Sequence, residues 1–456
     1  MRWVVVIILA CSPLARGQCL MREWIGTRQQ SGLGYSLAAH SNRFAYAEFQ
    51  PGGMVRVLER AGRSWNLEVT LSSGEAGFPW SMAMSENRVV ATAPYAGLPA
   101  LQEVGKIVVF RRIGDSWLHE SELVAVDAHE YVRLGWSVAT SGDVIVAGSV
   151  YDLGEAGSAY VFRFDGLSWH QEAKLTALDG TVGDRFGQSV AIDGGVIVVG
   201  AFWDGDAPTA SGSAYIFERD AVSGLWQQVV KLAPPNPRAL GYFGKSVAVS
   251  GTRVLTGQPG ATHVVPSAGE AYVYDRDPNG TWRLTARFGA DDPGVSHWFG
   301  TSVALAGDYA MLGAPGDFAH GPSSGSAYVF RRESDGTWRQ AGKLVAQDSA
   351  AYDQFASSVA IASQVAFAGA WQHDLVGIDS GAAYAFAISG DLDGDGVMDV
   401  CECLGDLFPD RTINESDLAI MLYYWNQGPG GDIDRDGDTD EADLGLLLAN
   451  WGTNCP

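Results

Sequence analysis

Positive charge is scarce in this chain. Its 456 residues hold 30 Lys and Arg against 53 Asp and Glu, a net charge of −23. So acidic a surface repels phosphate backbones and anionic lipid, which excludes nucleic acid as a partner and leaves cations as the small species it attracts. Long apolar runs are also rare, and beyond the N-terminus none is long enough to span a membrane. His numbers only eight, with no H-E-x-x-H motif, and no Cys is set beside a poised His. No catalytic constellation is evident, and the chain reads as a monomeric non-enzyme. Cys is limited to five.

The N-terminus supplies the one exception in hydropathy. Arg2, the apolar run 3–10 and the small residues around Ala15-Arg16-Gly17 read as a secretory signal over residues 1–17, cleaved after Gly17. Lipoprotein processing at Ile8-Leu9-Ala10-Cys11 is the alternative. Cleavage after Gly17 leaves Cys19, Cys401, Cys403 and Cys455. An even count in an exported chain points to disulfides, and four Cys allow three pairings. The expected location is secreted, extracellular or cell-surface.

What the chain has in abundance is a repeat. Phe186-Gly187-Gln188-Ser189-Val190-Ala191 returns as Phe243-Gly244-Lys245-Ser246-Val247-Ala248 and Phe299-Gly300-Thr301-Ser302-Val303-Ala304. Weaker copies start at Leu33, Phe78, Leu134 and Phe355. The second residues fall at 34, 79, 135, 187, 244, 300 and 356. A period near fifty residues is the mark of a repeat architecture.

Each repeat has one grammar. In the fourth, residues 189–192 alternate, 193–195 turn, 196–200 are continuously apolar, 213–218 alternate again, and 226–232 form a last strand begun by Trp226. This predicts a four-stranded antiparallel sheet. Trp117, Trp169, Trp282 and Trp338 mark the same last strand elsewhere, as blade packing rather than as a sugar platform. Seven such sheets stacked radially as a β-propeller bury both faces and leave only short edges. The seventh repeat stops after its third strand at Phe386, whereas the chain after Gly17 opens on a fourth strand with nothing before it, around Trp24. The N-terminal strand is therefore expected to complete the last blade and close the ring, giving a mainly β propeller over residues 18–388.

From residue 389 the composition changes. Asp391, Asp393, Asp395, Val397, Asp399 and Glu402 follow D-x-D-x-D-G-x-x-D-x-x-[DE], and so do Asp432, Asp434, Asp436, Asp438, Asp440 and Asp443. Carboxylates at loop positions 1, 3 and 5, a bend at Gly396 or Gly437, a carbonyl at position 7 and oxygens at 9 and 12 make a shell for Ca²⁺. Without a cation, so many close carboxylates repel. Residues 418–425 and 444–451 are apolar at helical spacing.

These features resemble known families. The repeats over 19–388 resemble FG-GAP repeats, the blade units of integrin α-subunits and of many exported bacterial proteins, with Gly313-Ala314-Pro315 keeping the second half of that name intact. The integrin type carries a calcium loop between the first two blade strands. Here the equivalent turns, such as Asp193-Gly194-Gly195, have too few oxygens, so no blade calcium is expected. Asp204 and Asp206, in the next loop, read as a solvated turn. Residues 404–456 resemble a dockerin-type pair of loop-helix units, with Asp406, Asp410, Asn414 and Asp417 as a decayed first loop. Residues 389–403 are closer to a calcium-loop linker. On that layout Cys19 pairs with Cys401, and Cys403 with Cys455.

The resemblance implies a non-catalytic binding or adhesion protein: a propeller that recognises, and a small α-helical calcium domain that anchors to a cohesin-like partner in an extracellular assembly. The ligand would be a protein or a polysaccharide. The alternative is a polysaccharide-degrading enzyme, a lyase or glycoside hydrolase, or its accessory subunit. Trp203, Trp371, Phe318, His263, His320 and His373 fall in loops on one face, where a ligand is expected.

Overall fold

A computed structural model describes residues 20–388 except 27, 50–51, 62–63, 206–209 and 263, then 414–425 and the single residues 439, 444, 447, 448 and 451. Two compact units divide the chain, one spanning Met21–Phe386 and one holding the remainder.

The larger unit is a seven-bladed β-propeller of four-stranded antiparallel sheets. In the fourth blade the strands are Ser189–Asp193, Val196–Ala201, Ser213–Arg219 and Trp226–Leu232, within a residue of the expected bounds. A two-residue turn joins the first two strands, with Gly194 at φ +54°, which a side chain would resist. The second strand is apolar on both faces because each blade is covered by a neighbour on either side. Valines 144, 146 and 161 of the third blade thus pack against Phe186, Ile197, Val199 and Phe217 of the fourth. The core lies between blades rather than within them. In six blades the third and fourth strands slip register at one equivalent place, Ile216/Phe217 in the fourth, a bulge that increases the local twist.

The first strands stand side by side in a closed circuit, and the seventh, Ser358–Ala362, neighbours the first, Leu37–His40. The repeated hexapeptide clasps one blade to the next. Ser189 Oγ donates to the Gly244 carbonyl of the following copy at 2.9 Å. Ser137, Ser246, Ser302 and Ser358 do likewise, to Gly187, Gly300, Ala356 and Gly34. That carbonyl lies so close to Gly200, on the second strand, that a Cβ there would be 1.9 Å from it. Each copy's leading Phe is inserted as well: Phe243 bridges in parallel to Gly212 of the blade before it and is wholly buried.

The ring closes as the chain ends required. The strand Leu20–Ile25 is the outer strand of the seventh blade, beside Ala382–Ala387. Trp24 packs on Phe44 and Trp65 of the first blade at 5.1 and 6.1 Å, and Phe44 stacks on Phe367 of the seventh at 4.1 Å. Backbone bonds from Gly26, Gln30, Gly32 and Leu33 to residues 378–381 continue the seam.

In the smaller unit one helix is described, Glu415–Tyr424, where an apolar helical pattern was expected from 418. The Asn414 side chain caps it, accepting from the Ser416 N–H at 2.7 Å.

Candidate functional site

All seven first strands run in one direction, so the residue before each lies at a common end of the channel. Antiparallel pairing brings the loop after each second strand to that same end, while the tight turns take the other. The loop end carries two kinds of polar and aromatic arrangement.

The first is a buried ion cluster under the loops. Asp204 accepts from the Tyr215 hydroxyl at 2.8 Å and pairs with Lys231 at 2.9 Å; Lys231 also reaches Asp179 at 2.6 Å. Lys231 stands opposite Tyr215 in the strand register, which places its ammonium beneath the loop. Asp152 with Tyr160, Lys174 and Asp127, and Asp317 with Tyr328, Lys343 and Asp292, repeat the pattern. Burial alone would raise the carboxyl pKa of all three, but the lysine and hydroxyl donors outweigh it and hold each below its ordinary value. The seventh blade keeps the geometry with the charge exchanged. His373 takes the aspartate position, bonded through Nδ1 to Asp353 at 2.8 Å, with Nε2 3.2 Å from Asp348.

The second arrangement is a half-ring of aromatic side chains. The third residue of the hexapeptide is Tyr35, Trp80 and Trp136 in the first three blades, then Gln188, Lys245, Thr301 and Ser357. Tyr35 and Trp80 are 5.2 Å apart by ring centroid, and Trp80 and Trp136 4.9 Å. Trp371, Tyr95 and Tyr151 extend the arc outward at 5.9, 5.6 and 5.4 Å. Contact between rings on consecutive blades places the arc beside the axis. Burial pushes the Tyr35 hydroxyl up to about 12. On the polar side, the Lys245 ammonium lies 4.7 Å from the Phe202 ring centre. It has no carboxylate or hydrogen-bond partner among the described residues. Burial, and then the Arg185 charge, push its pKa down.

Several expected site residues land elsewhere. Asp204 is not in a solvated turn but is 2% exposed, because Lys231 and Tyr215 meet it from the neighbouring strands. His373 is likewise enclosed, 3% exposed, rather than offered to a ligand. His320 bonds through Nδ1 to Ser349 at 2.9 Å. Trp203 packs on Phe202 and Tyr242, and Phe318 remains exposed. The fourth-strand tryptophans serve blade packing: Trp169, Trp226 and Trp282 donate to Glu120, Glu172 and Glu218 of the preceding blades. The arc of Tyr35, Trp80 and Trp136 was not singled out as a site. Reading the third residue down all seven copies exposes its division into aromatic and polar halves.

Asp206, His263, the four cysteines and the signal residues 1–17 lie outside the described residues. So do all twelve proposed calcium ligands: Asp391, Asp393, Asp395, Val397, Asp399, Glu402, Asp432, Asp434, Asp436, Asp438, Asp440 and Asp443. Among the described residues no group of three or more His, Cys, Asp or Glu is arranged to hold a metal, and no helix is long and apolar enough to cross a membrane.

Comparison with known proteins adds a family. The model described as FG-GAP repeat matches residues 117–162, 169–217, 226–274, 282–330 and 338–386, more than half of the chain. A comparison with curated proteins finds no match. Among solved structures, that of Saccharomyces cerevisiae Sqt1 is similar at 12% identity over 77% of this chain and 82% of its own, with a TM-score of 0.44.

Proposed function

This chain belongs to the FG-GAP repeat family, and from that premise we propose that it is an exported binding protein whose propeller recognises a ligand at its loop end. The observation that carries this reading is the half-ring of Tyr35, Trp80 and Trp136 around the channel mouth. Aromatic side chains with a few polar groups beside them are the ordinary lining of a binding site. The role is non-catalytic. The acids beneath the loops are engaged with lysine, tyrosine and histidine partners and recur blade after blade, which suits a structural function better than one reaction centre.

Residues 404–456 are the anchor in this proposal, a dockerin-like calcium module that follows the calcium-loop linker 389–403 and docks on a cohesin-like partner of an extracellular assembly. Support comes from the two acidic loops, 391–402 and 432–443, and from the capped helix Glu415–Tyr424. Calorimetric titration of Ca²⁺ into the full chain tests the anchor. Saturable uptake at roughly 10⁻⁴–10⁻³ M is expected, and Asp432→Asn with Asp436→Asn removes one site. No heat at millimolar Ca²⁺ defeats it. Capture of extracellular polysaccharide by the immobilised chain, retained in the calcium-site variant, tests the propeller's role. Release of sugar from that polysaccharide would replace binding with catalysis.

A further inference from the structure

The half-ring has chemistry on both sides of the channel mouth. Tyr35, Trp80 and Trp136 form a continuous, half-buried aromatic surface over three blades. Across Gln188 in the same ring of positions stands Lys245. Six cations lie over aromatic rings at this end, and three of them, Lys174, Lys231 and Lys343, are held by aspartates. Arg133 is paired with Glu103 and Arg185 with Glu155, but Lys245 has no carboxylate among the described residues. On a chain of net charge −23, a desolvated ammonium without an acid beside it is an unusual thing to keep.

We propose that the channel mouth is a subsite for a uronic acid residue of an acidic polysaccharide, its pyranose ring stacked on the Tyr35–Trp80–Trp136 arc and its carboxylate directed to Lys245. This rests on the reading of the loop end as the recognition face and names its ligand class; the net charge of −23 opposes a polyanion at long range, so the attraction is local, one carboxylate at one cation. Sugar C–H faces are flat and apolar and fit an aromatic surface, while a carboxylate supplies the charge that Lys245 lacks. An acidic peptide fits less well, because an extended peptide gains affinity from main-chain hydrogen bonds. The backbone donors here are already used: Tyr35 N–H bonds to Gly32, Trp80 to Thr92, Trp136 to Gly148 and Lys245 to Tyr242.

The test is calorimetry on the full chain with three probes: a uronate oligosaccharide (galacturonate and alginate forms in turn), its carboxyl-reduced neutral counterpart, and a poly-glutamate peptide. One of the uronate forms is expected to bind. The neutral counterpart should bind at least tenfold more weakly, and poly-glutamate should give no heat. Lys245→Gln should lower uronate affinity at least tenfold without a change in melting temperature, and raised salt should narrow the difference between wild type and variant. Trp136→Ala should lower affinity for charged and neutral sugars alike. Equal binding of the neutral form, full retention by Lys245→Gln, or tighter binding of poly-glutamate overturns the proposal. If neither uronate binds while the chain still captures another extracellular polysaccharide, the ligand class is wrong and the recognition face stands. If nothing is captured, both fail.

Discussion

Gly200→Ala adds a single carbon where two blades meet. The new Cβ would lie 1.9 Å from the Gly244 carbonyl oxygen and 2.5 Å from Ser189 Oγ, the two atoms that form the clasp. Backbone, not the end of a flexible side chain, blocks it. The hexapeptide at Phe243 must move by more than about 1 Å to reach ordinary contact distance. Phe243 is wholly buried, so that movement disturbs the core between blades as well. Overpacking of this kind costs about 1–3 kcal/mol or more, and the lost serine bond adds about 1 kcal/mol. The expected loss is therefore about 2–4 kcal/mol, a large part of the 5–15 kcal/mol typical of folded domains. Gly194→Ala is the matched control. It lies in the hairpin turn at φ +54° with no heavy atom within 4 Å of the added carbon, so only the left-handed backbone penalty of about 1 kcal/mol applies. Urea unfolding followed by tryptophan fluorescence compares the two midpoints. Failure of Gly200→Ala to accumulate beside a folded Gly194→Ala is the same result in a stronger form. Midpoints within about 0.5 kcal/mol of each other would refute the clasp.

Three further outcomes are expected. Lys231→Met leaves Asp204 and the Tyr215 hydroxyl without their cation; removing one partner of a buried pair costs about 3–5 kcal/mol, and the 25% exposure of the Lys231 side chain places this case at the low end, read as a lower denaturation midpoint. His373 is pushed up to about 9: burial would lower it, but the Asp348 and Asp353 carboxylates outweigh that. Because the folded value lies above the ordinary 6.5, the stability it contributes is complete below pH 6.5 and is lost as pH rises through 9. Melting temperature should fall over that window by the equivalent of about 3 kcal/mol, and His373→Gln should flatten the profile; a wild-type profile no steeper than the variant's contradicts the assignment. Trp24→Ala removes the ring that ties the closing strand to Phe44 and Trp65. It should cost about 2–4 kcal/mol and speed hydrogen exchange in residues 20–25 and 382–387 ahead of the other blades.

The blade count, the strand order and the closing role of the Trp24 strand were legible because they are periodic, and a period needs no knowledge of contacts. The clasp was not, since Ser189 and the Gly244 carbonyl are 55 residues apart and nothing local marks them as partners. Asp204 looked solvated for a related reason: a loop aspartate is ordinarily exposed, and its lysine arrives from a strand 27 positions later through a register that only the sheet reveals. His373 was misread because the aspartate position of the other blades is filled by a residue of opposite charge, so a column comparison would have flagged a change without giving its sense. The aromatic arc was visible in principle, as the third letter of seven aligned hexapeptides. The repeated letters mark the strand, whereas the arc resides in the letter that varies, which a search for periodicity passes over.

Recognition, on this reading, belongs to the loop end. Two sets of full-length variants address it on immobilised polygalacturonate or alginate: Trp80→Ala and Trp136→Ala at the channel mouth, and Leu167→Ser and Val222→Ser on hairpins of the opposite end, where those side chains are 92% and 97% exposed. At least a tenfold loss of retention is expected for the first set and none for the second. Loss in the second set with retention in the first would contradict it.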